Sequence, residues 1–163
     1  MKTSFSSALL LGALLTLGAC SKDKSHSDDP KPATKTELLT AKDWMIVSAS
    51  VTPAYSAIPV YAGGIPTTDW FNVLKPCEKD NVGRFEDSGV YIQDEGPIKC
   101  APLTPQVNRG TWRFSTDETQ LITDISGTHN IYTLVELAKQ LKLSYGFNSG
   151  GTTYTVVYVL APF

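Results

Sequence analysis

From Gly83 to Leu160 the chain repeats one unit: a short run in which apolar and polar residues alternate, then a turn rich in Gly, Ser, Asp or Asn. A period of two is what a strand with one buried face requires. Gly83-Arg84-Phe85-Glu86 and Val90-Tyr91-Ile92-Gln93 flank Asp87-Ser88-Gly89, a hairpin signal. Thr111–Ser115 alternates cleanly, and Gln120–Ile125 follows it. Ser126-Gly127-Thr128 then turns the chain into Asn130–Leu137, Gln140–Tyr145 ends near Asn148-Ser149-Gly150-Gly151, and Thr153–Leu160 is the last run. Upstream, Trp44–Val51 has the same β-branched and aromatic enrichment, giving about eight strands in all. Sequential strands joined by tight turns form an antiparallel meander. Its apolar face must be covered and its edges hidden, and closure into an up-and-down barrel does both. The expected fold is therefore all-β, a small meander closing into an eight-stranded barrel. An open β-sandwich is the competing architecture, but a Greek key needs longer crossings than the turns after Thr111. The alternation names the interior: Trp112 and Phe114; Leu141, Leu143 and Tyr145; Tyr154, Val156 and Tyr158. A barrel of this size either fills with its own side chains or holds one small ligand.

The segments before Gly83 are less regular. Thr36–Thr40 suggests a short helical turn. Pro53–Pro66, rich in Pro, Ala, Tyr and Gly, is expected as a loop long enough to be functional. Asp69–Leu74 suggests a short helix capped by Thr68 and stopped by Pro76. Cys100–Pro105 is a proline-bearing connection.

The N-terminus has a different character. One positive charge in Met1-Lys2-Thr3 precedes an apolar run, Ala8–Leu15, that is too short for a spanning helix of about 20 residues. Charged start, short apolar core and small residues at the end make a secretory signal. Leu17-Gly18-Ala19-Cys20 resembles the lipobox of bacterial lipoproteins. That resemblance implies a signal peptide over residues 1–19, cleavage before Cys20, diacylglycerol on the Cys20 thiol and an acylated (palmitate-type) amino terminus. The alternative is an ordinary signal peptide in which Cys20 is a bystander. One acyl chain holds a protein only reversibly, whereas the three chains of a lipoprotein hold it firmly. The expected location is then the cell envelope, lipid-anchored, most simply at the outer membrane, with the membrane face left open. Residues 20–36 are polar, charged and proline-bearing, and are expected to be a flexible tether. Ser21-Lys22-Asp23-Lys24 partly resembles charged surface-display signals, and a generic linker is the equal alternative. The folded domain is assigned to residues 37–163.

The formal charge is −2, and loss of Lys2 with the signal leaves 13 basic against 16 acidic side chains, near −3. No basic stripe runs along the chain, which argues against nucleic acid as a partner. With Cys20 committed to lipid, Cys77 and Cys100 remain. In an oxidising compartment they read most simply as one disulfide. A redox pair or metal ligands are the alternatives. The Cys spacing is far from Cys-x-x-Cys, and His26 and His129 show no ligand spacing with them.

Leu39-Thr40-Ala41-Lys42-Asp43-Trp44, Cys77-Glu78-Lys79-Asp80-Asn81, Phe85, Cys100, Gly110-Thr111-Trp112-Arg113-Phe114, Leu141–Tyr145 and the Tyr-rich last run together resemble bacterial lipocalin-like domain lipoproteins. The resemblance covers most of Leu38–Leu160 and implies a small calycin-like, lipocalin-like barrel with a disulfide on a lipid anchor. It implies no particular ligand. Animal lipocalins carry Gly-x-Trp in the first strand, where this chain has Lys42-Asp43-Trp44, so lipocalin ligand biology is analogy from fold alone.

Catalytic machinery is hard to assemble. There is no Gly-x-Ser-x-Gly, and His129 sits just after a turn as an expected solvent-facing residue. Glu78 and Asp80 read either as an acid pair or as part of a turn-like segment beside Cys77, a turn that Asp80-Asn81 with Gly83 is expected to shape through side-chain to backbone bonds. No enzyme, cofactor or metal site is expected. Binding is the expected activity. Trp70 and Phe71, with Tyr55 and Tyr61, stand in the irregular part, and Trp112, Tyr145, Tyr154 and Tyr158 alternate on the strands. These aromatics either line a pocket for a small hydrophobic or amphipathic ligand or plug the barrel as core. In the second case the barrel is a scaffold, and the Pro53–Pro66 and Gly96–Gln106 loops would contact a protein partner of unknown identity.

Overall fold

The computed structural model describes residues 31–56 and 65–163. The expected signal peptide, Cys20 and most of the expected tether lie outside the described residues, as does Tyr61. Pro32–Phe163 is a compact unit by itself, with its sheet and core internal to it.

Helix α1 (Lys35–Thr40) begins inside the stretch assigned to the tether. A reciprocal cap starts it there: Glu37 N donates to Thr34 Oγ1 (3.2 Å) and Thr34 N donates to the Glu37 carboxylate (2.6 Å). The helix delivers one fully buried side chain, Leu39.

Nine strands follow: β1 (Asp43–Tyr55), β2 (Thr67–Asp69), β3 (Val82–Phe85), β4 (Val90–Asp94), β5 (Val107–Phe114), β6 (Gln120–Ile125), β7 (Thr128–Leu137), β8 (Leu141–Ser149) and β9 (Thr152–Pro162). From β3 to β9 each strand pairs antiparallel with the next. One edge of β1 pairs with β9, from Trp44↔Pro162 to Thr52↔Thr155. Its other edge is shared: β3 takes the N-terminal end and β2 the C-terminal end. β1 and β3–β9 thus close an eight-stranded barrel, with β2 as one extra strand. The expected barrel is present and the sandwich is set aside.

The turns follow their chemistry. β8 and β9 are joined at Gly150 and Gly151, both at positive φ (56° and 79°), as a tight hairpin between right-twisted strands requires. Several boundaries differ from the sequence expectation. β1 runs on to Tyr55, into the expected Pro53–Pro66 loop. Its pairing with β9 ends at Thr52, so the missing N–H of Pro53 breaks no ladder bond. The rest of that loop, residues 57–64, lies outside the described residues. β5 begins at Val107, ahead of Thr111, because Asp94–Val90 on β4 offers it a partner. Asp69–Leu74 yields only a 3₁₀ turn, Phe71–Val73, and the carboxylate of Asp69 accepts from Asn72 N (3.2 Å) where Thr68 was expected to cap. Pro76 begins a helix and does not end one. It is the first residue of one-turn α2 (Pro76–Lys79), a position where its missing N–H costs nothing.

The core has two parts. Leu39 of α1, Trp44, Phe85, Trp112, Leu121, Leu141 and Leu143 close the α1 end of the barrel. Both indoles there find acceptors, Trp44 Nε1 on Leu39 O and Trp112 Nε1 on Glu86 O, each at 2.9 Å. Past the opposite end, β1, β8 and β9 carry a second cluster in which Val51, Tyr154 and Val156 support Tyr55, Trp70 and Phe147. The Cys77–Cys100 disulfide is formed, with Cα atoms 5.1 Å apart, and it fastens α2 to the connection between β4 and β5.

Candidate functional site

The barrel is not filled throughout. A cavity of about 510 Å³ lies between the α1-end core and the 3₁₀–α2 segment. Its floor is apolar: Trp44, Phe85, Leu121 and Leu143 are the upper surface of the first core cluster. Its cap is Trp70, Val73, Leu74 and Glu78, supplied by the segment that crosses from β2 to β3. The polar side chains gather at the cap end. Asn81 immediately precedes β3, Gln93 is near the end of β4, and Asn130 is near the start of β7. Thr123 stands beside them on β6. Tyr91, Tyr132 and Tyr158 form the waist between the two regions.

Hydrogen bonds hold the polar end in place. In the orientation its neighbours require, the Asn81 amide donates to Cys77 O (3.0 Å) and Glu95 O (3.3 Å) and accepts from Gln93 Nε2 (3.0 Å). Asn130 Nδ2 faces Thr123 Oγ1 at 3.5 Å. Lys75 N donates to Glu78 Oε2 (2.9 Å), which fixes Glu78 at the start of α2. Asp80, read as the partner of Glu78 or as a local turn former, does neither: its Oδ2 accepts from Ile98 N (2.8 Å) across the β4–β5 connection. Trp70 Nε1, on a ring that lines the cavity, is buried with no hydrogen-bond partner among the described residues. Burial pushes the Tyr91 phenol up to about 12 and raises Tyr132 and Tyr145 as well. These phenols stay neutral at physiological pH, and those of Tyr91 and Tyr132 lie on the cavity wall.

The aromatics singled out from sequence divide. Trp70 and Tyr158 line the cavity. Tyr145 stacks on Tyr158 (centroids 5.7 Å apart) and stands one layer behind it. Tyr154 stacks with Phe147 (5.2 Å) in the second cluster. Trp112 is buried below Phe85 (5.6 Å) in the α1-end core. Phe71 carries the Lys79 ammonium over its ring at 4.9 Å and is not a wall residue. Sequence reasoning missed Gln93, Thr123 and Asn130. Their signal was a polar residue in phase with inward-facing apolar ones: Tyr91 and Gln93, Leu121 and Thr123, Asn130 and Tyr132. His129 is exposed on β7 and pairs with Asp124 of β6, away from the cavity.

No family model and no curated protein matches the chain. Among solved structures it is similar to the crystal structure of a DUF4847 family protein from Bacteroides vulgatus, with 12% identity, coverage of 77% of this chain and 96% of that one, and a TM-score of 0.42. At that distance the likeness carries nothing about what either protein does.

Proposed function

We propose that this protein is a lipid-anchored cell-envelope lipoprotein of the lipocalin-like kind that holds one small amphipathic molecule inside its barrel. The carrying observation is the cavity, whose 510 Å³ falls within the roughly 300–1,000 Å³ typical of small-molecule sites. Its apolar floor and polar cap end suit a molecule with one greasy and one polar end. The wall's polar groups are amides, phenols, a hydroxyl and one carboxylate, a set suited to holding a ligand. The anchor rests on Leu17-Gly18-Ala19-Cys20 and the short apolar run before it.

Native mass spectrometry of the full chain, extracted gently from membranes, tests the binding half. An adduct of a few hundred daltons is expected, and Thr123→Phe, which fills the cavity, should lose it while keeping the circular dichroism of the barrel. A ligand-free wild type that also takes up no added fluorescent naphthylamine refutes it. For the anchor, Cys20→Ala should abolish incorporation of labelled palmitate. A variant that still partitions with detergent-extracted lipoproteins defeats the assignment.

One observation favours a second reading, a partner-binding scaffold. Ile98, Leu103 and Val107 expose apolar side chains on or beside the Gly96–Gln106 connection, Leu103 to 98%. In-envelope crosslinking should then trap a protein, and deleting the tip of that connection should remove the crosslink.

A further inference from the structure

The charges and hydrogen bonds around the cavity say more about its occupant. Glu78 is the one ionisable carboxylate on the described wall, and no Lys, Arg or His lines it. Glu78 Oε2 is taken by Lys75 N, while Oε1 bonds to nothing among the described residues. Trp70 Nε1 is a donor at the cap with no partner among the described residues, but the amide donors beside Glu78 are engaged internally. Asn81 gives its N–H groups to Cys77 O and Glu95 O, and Gln93 gives one to Asn81. Asn130 points its amide nitrogen at Thr123. The carbonyl oxygens of Gln93 and Asn130 remain as acceptors. Lys79, the neighbouring cation, is held over Phe71 and away from the wall. The rings of Trp70 at the cap and of Tyr91, Tyr132 and Tyr158 at the waist complete the wall, and aromatic rings attract cations. An anion placed here meets no counter-charge on the described wall and faces the Glu78 carboxylate, with the Trp70 N–H as a neutral donor, whereas a cation meets a carboxylate, carbonyl oxygens and aromatic rings.

We infer that the ligand is an amphiphile with an ammonium head, seated with its head at Glu78 and its apolar body on Leu121 and Leu143. This rests on the proposal that the cavity is a binding site. Glu78 is half-exposed, so solvent screens the pair, and the expected preference for a cationic over an anionic head is about tenfold.

The test uses the compact unit Pro32–Phe163 and matched ten-carbon probes: decylamine, 1-decanol and decanoate, each displacing a fluorescent naphthylamine at pH 7 and low salt. Decylamine should bind best and decanoate worst. Glu78→Gln, which keeps an acceptor for Lys75 N, should narrow the decylamine-to-decanoate ratio to about threefold or less. Asn130→Lys, which sets a cation against Glu78 on the wall, should bring the ratio close to one. Decanoate binding the wild type as tightly as decylamine overturns the inference while leaving the binding role intact, and so does a ratio unmoved by both variants. If none of the three probes binds, the binding role fails, and the head-group preference with it.

Discussion

Removing the Cys77–Cys100 crosslink should weaken the barrel by an amount that its chain separation sets. The two cysteines are 23 residues apart. In the loop-entropy model that closure removes about 11 cal/mol/K from the unfolded chain, or about 3.4 kcal/mol at 25 °C. A domain of this size is stable by only about 5–15 kcal/mol, so the crosslink is a sizeable share. The effect has a local part too. α2 is a single turn, too short to persist alone, and the disulfide ties it to the β4–β5 connection. Equilibrium guanidinium unfolding, followed by tryptophan fluorescence, should show Cys77→Ala/Cys100→Ala less stable by about 3 kcal/mol. Its denaturant slope should be steeper, because the released unfolded chain exposes more surface. Hydrogen exchange at Leu74–Glu78 should accelerate more than exchange in β8 and β9. A loss below about 1 kcal/mol, with unchanged exchange in the cap, would refute the reasoning.

Two further outcomes test the barrel wall. Gly110→Ala would set its Cβ 2.0 Å from Asp124 O and 2.9 Å from Ile125 Cα, both backbone atoms of the paired strand; thermal unfolding should register a loss of about 3 kcal/mol or more. Alkaline titration should show a second effect. Tyr91 keeps its proton to about pH 12 when folded but releases it near 10 when unfolded, so its stabilisation is complete below pH 10 and is lost as pH climbs through 12. Stability curves for wild type and Tyr91→Phe should therefore diverge above pH 10, by the order of 2 kcal/mol at pH 12.

The barrel was legible because its strands obey a local rule. Each run from Gly83 to Leu160 alternates around Gly-bearing turns, and the inward set it names, from Trp112 to Tyr158, faces the interior or packs on its core. The cap was not legible, because long-range partners define it. Pro76 reads equally as a helix stop or a first helical residue, and only the bond from Lys75 N to Glu78 settles which. Asp80 and Asn81 look like local turn formers, yet Asp80 bonds to Ile98 and Asn81 to Cys77 O, Glu95 O and Gln93. β2 has too few residues to show a period, and it pairs only because β3 leaves the far end of β1 open. The cavity was hidden for another reason. A wall and a filled core use the same residue types, so Leu121 and Leu143 look identical in either role. What separates the roles is whether open space lies above the side chain, a property of the closed barrel.

The pairing of β1 with β9 is also the longest-range contact in the sheet. Every hairpin from β3 to β9 joins neighbours in the chain, whereas the β1–β9 ladder joins Trp44 to Pro162 and Thr52 to Thr155, across nearly the whole domain. Loop entropy disfavours such long contacts until local ones have shortened the path. Loop entropy thus favours the meander ahead of the β1–β9 ladder, the contact that brings Trp44 and, through α1, Leu39 to the floor. Until β1 pairs, β3 and β9 present two unpaired edges to other chains. The same seam that creates the cavity therefore marks the interval in which this protein is most exposed to misassembly.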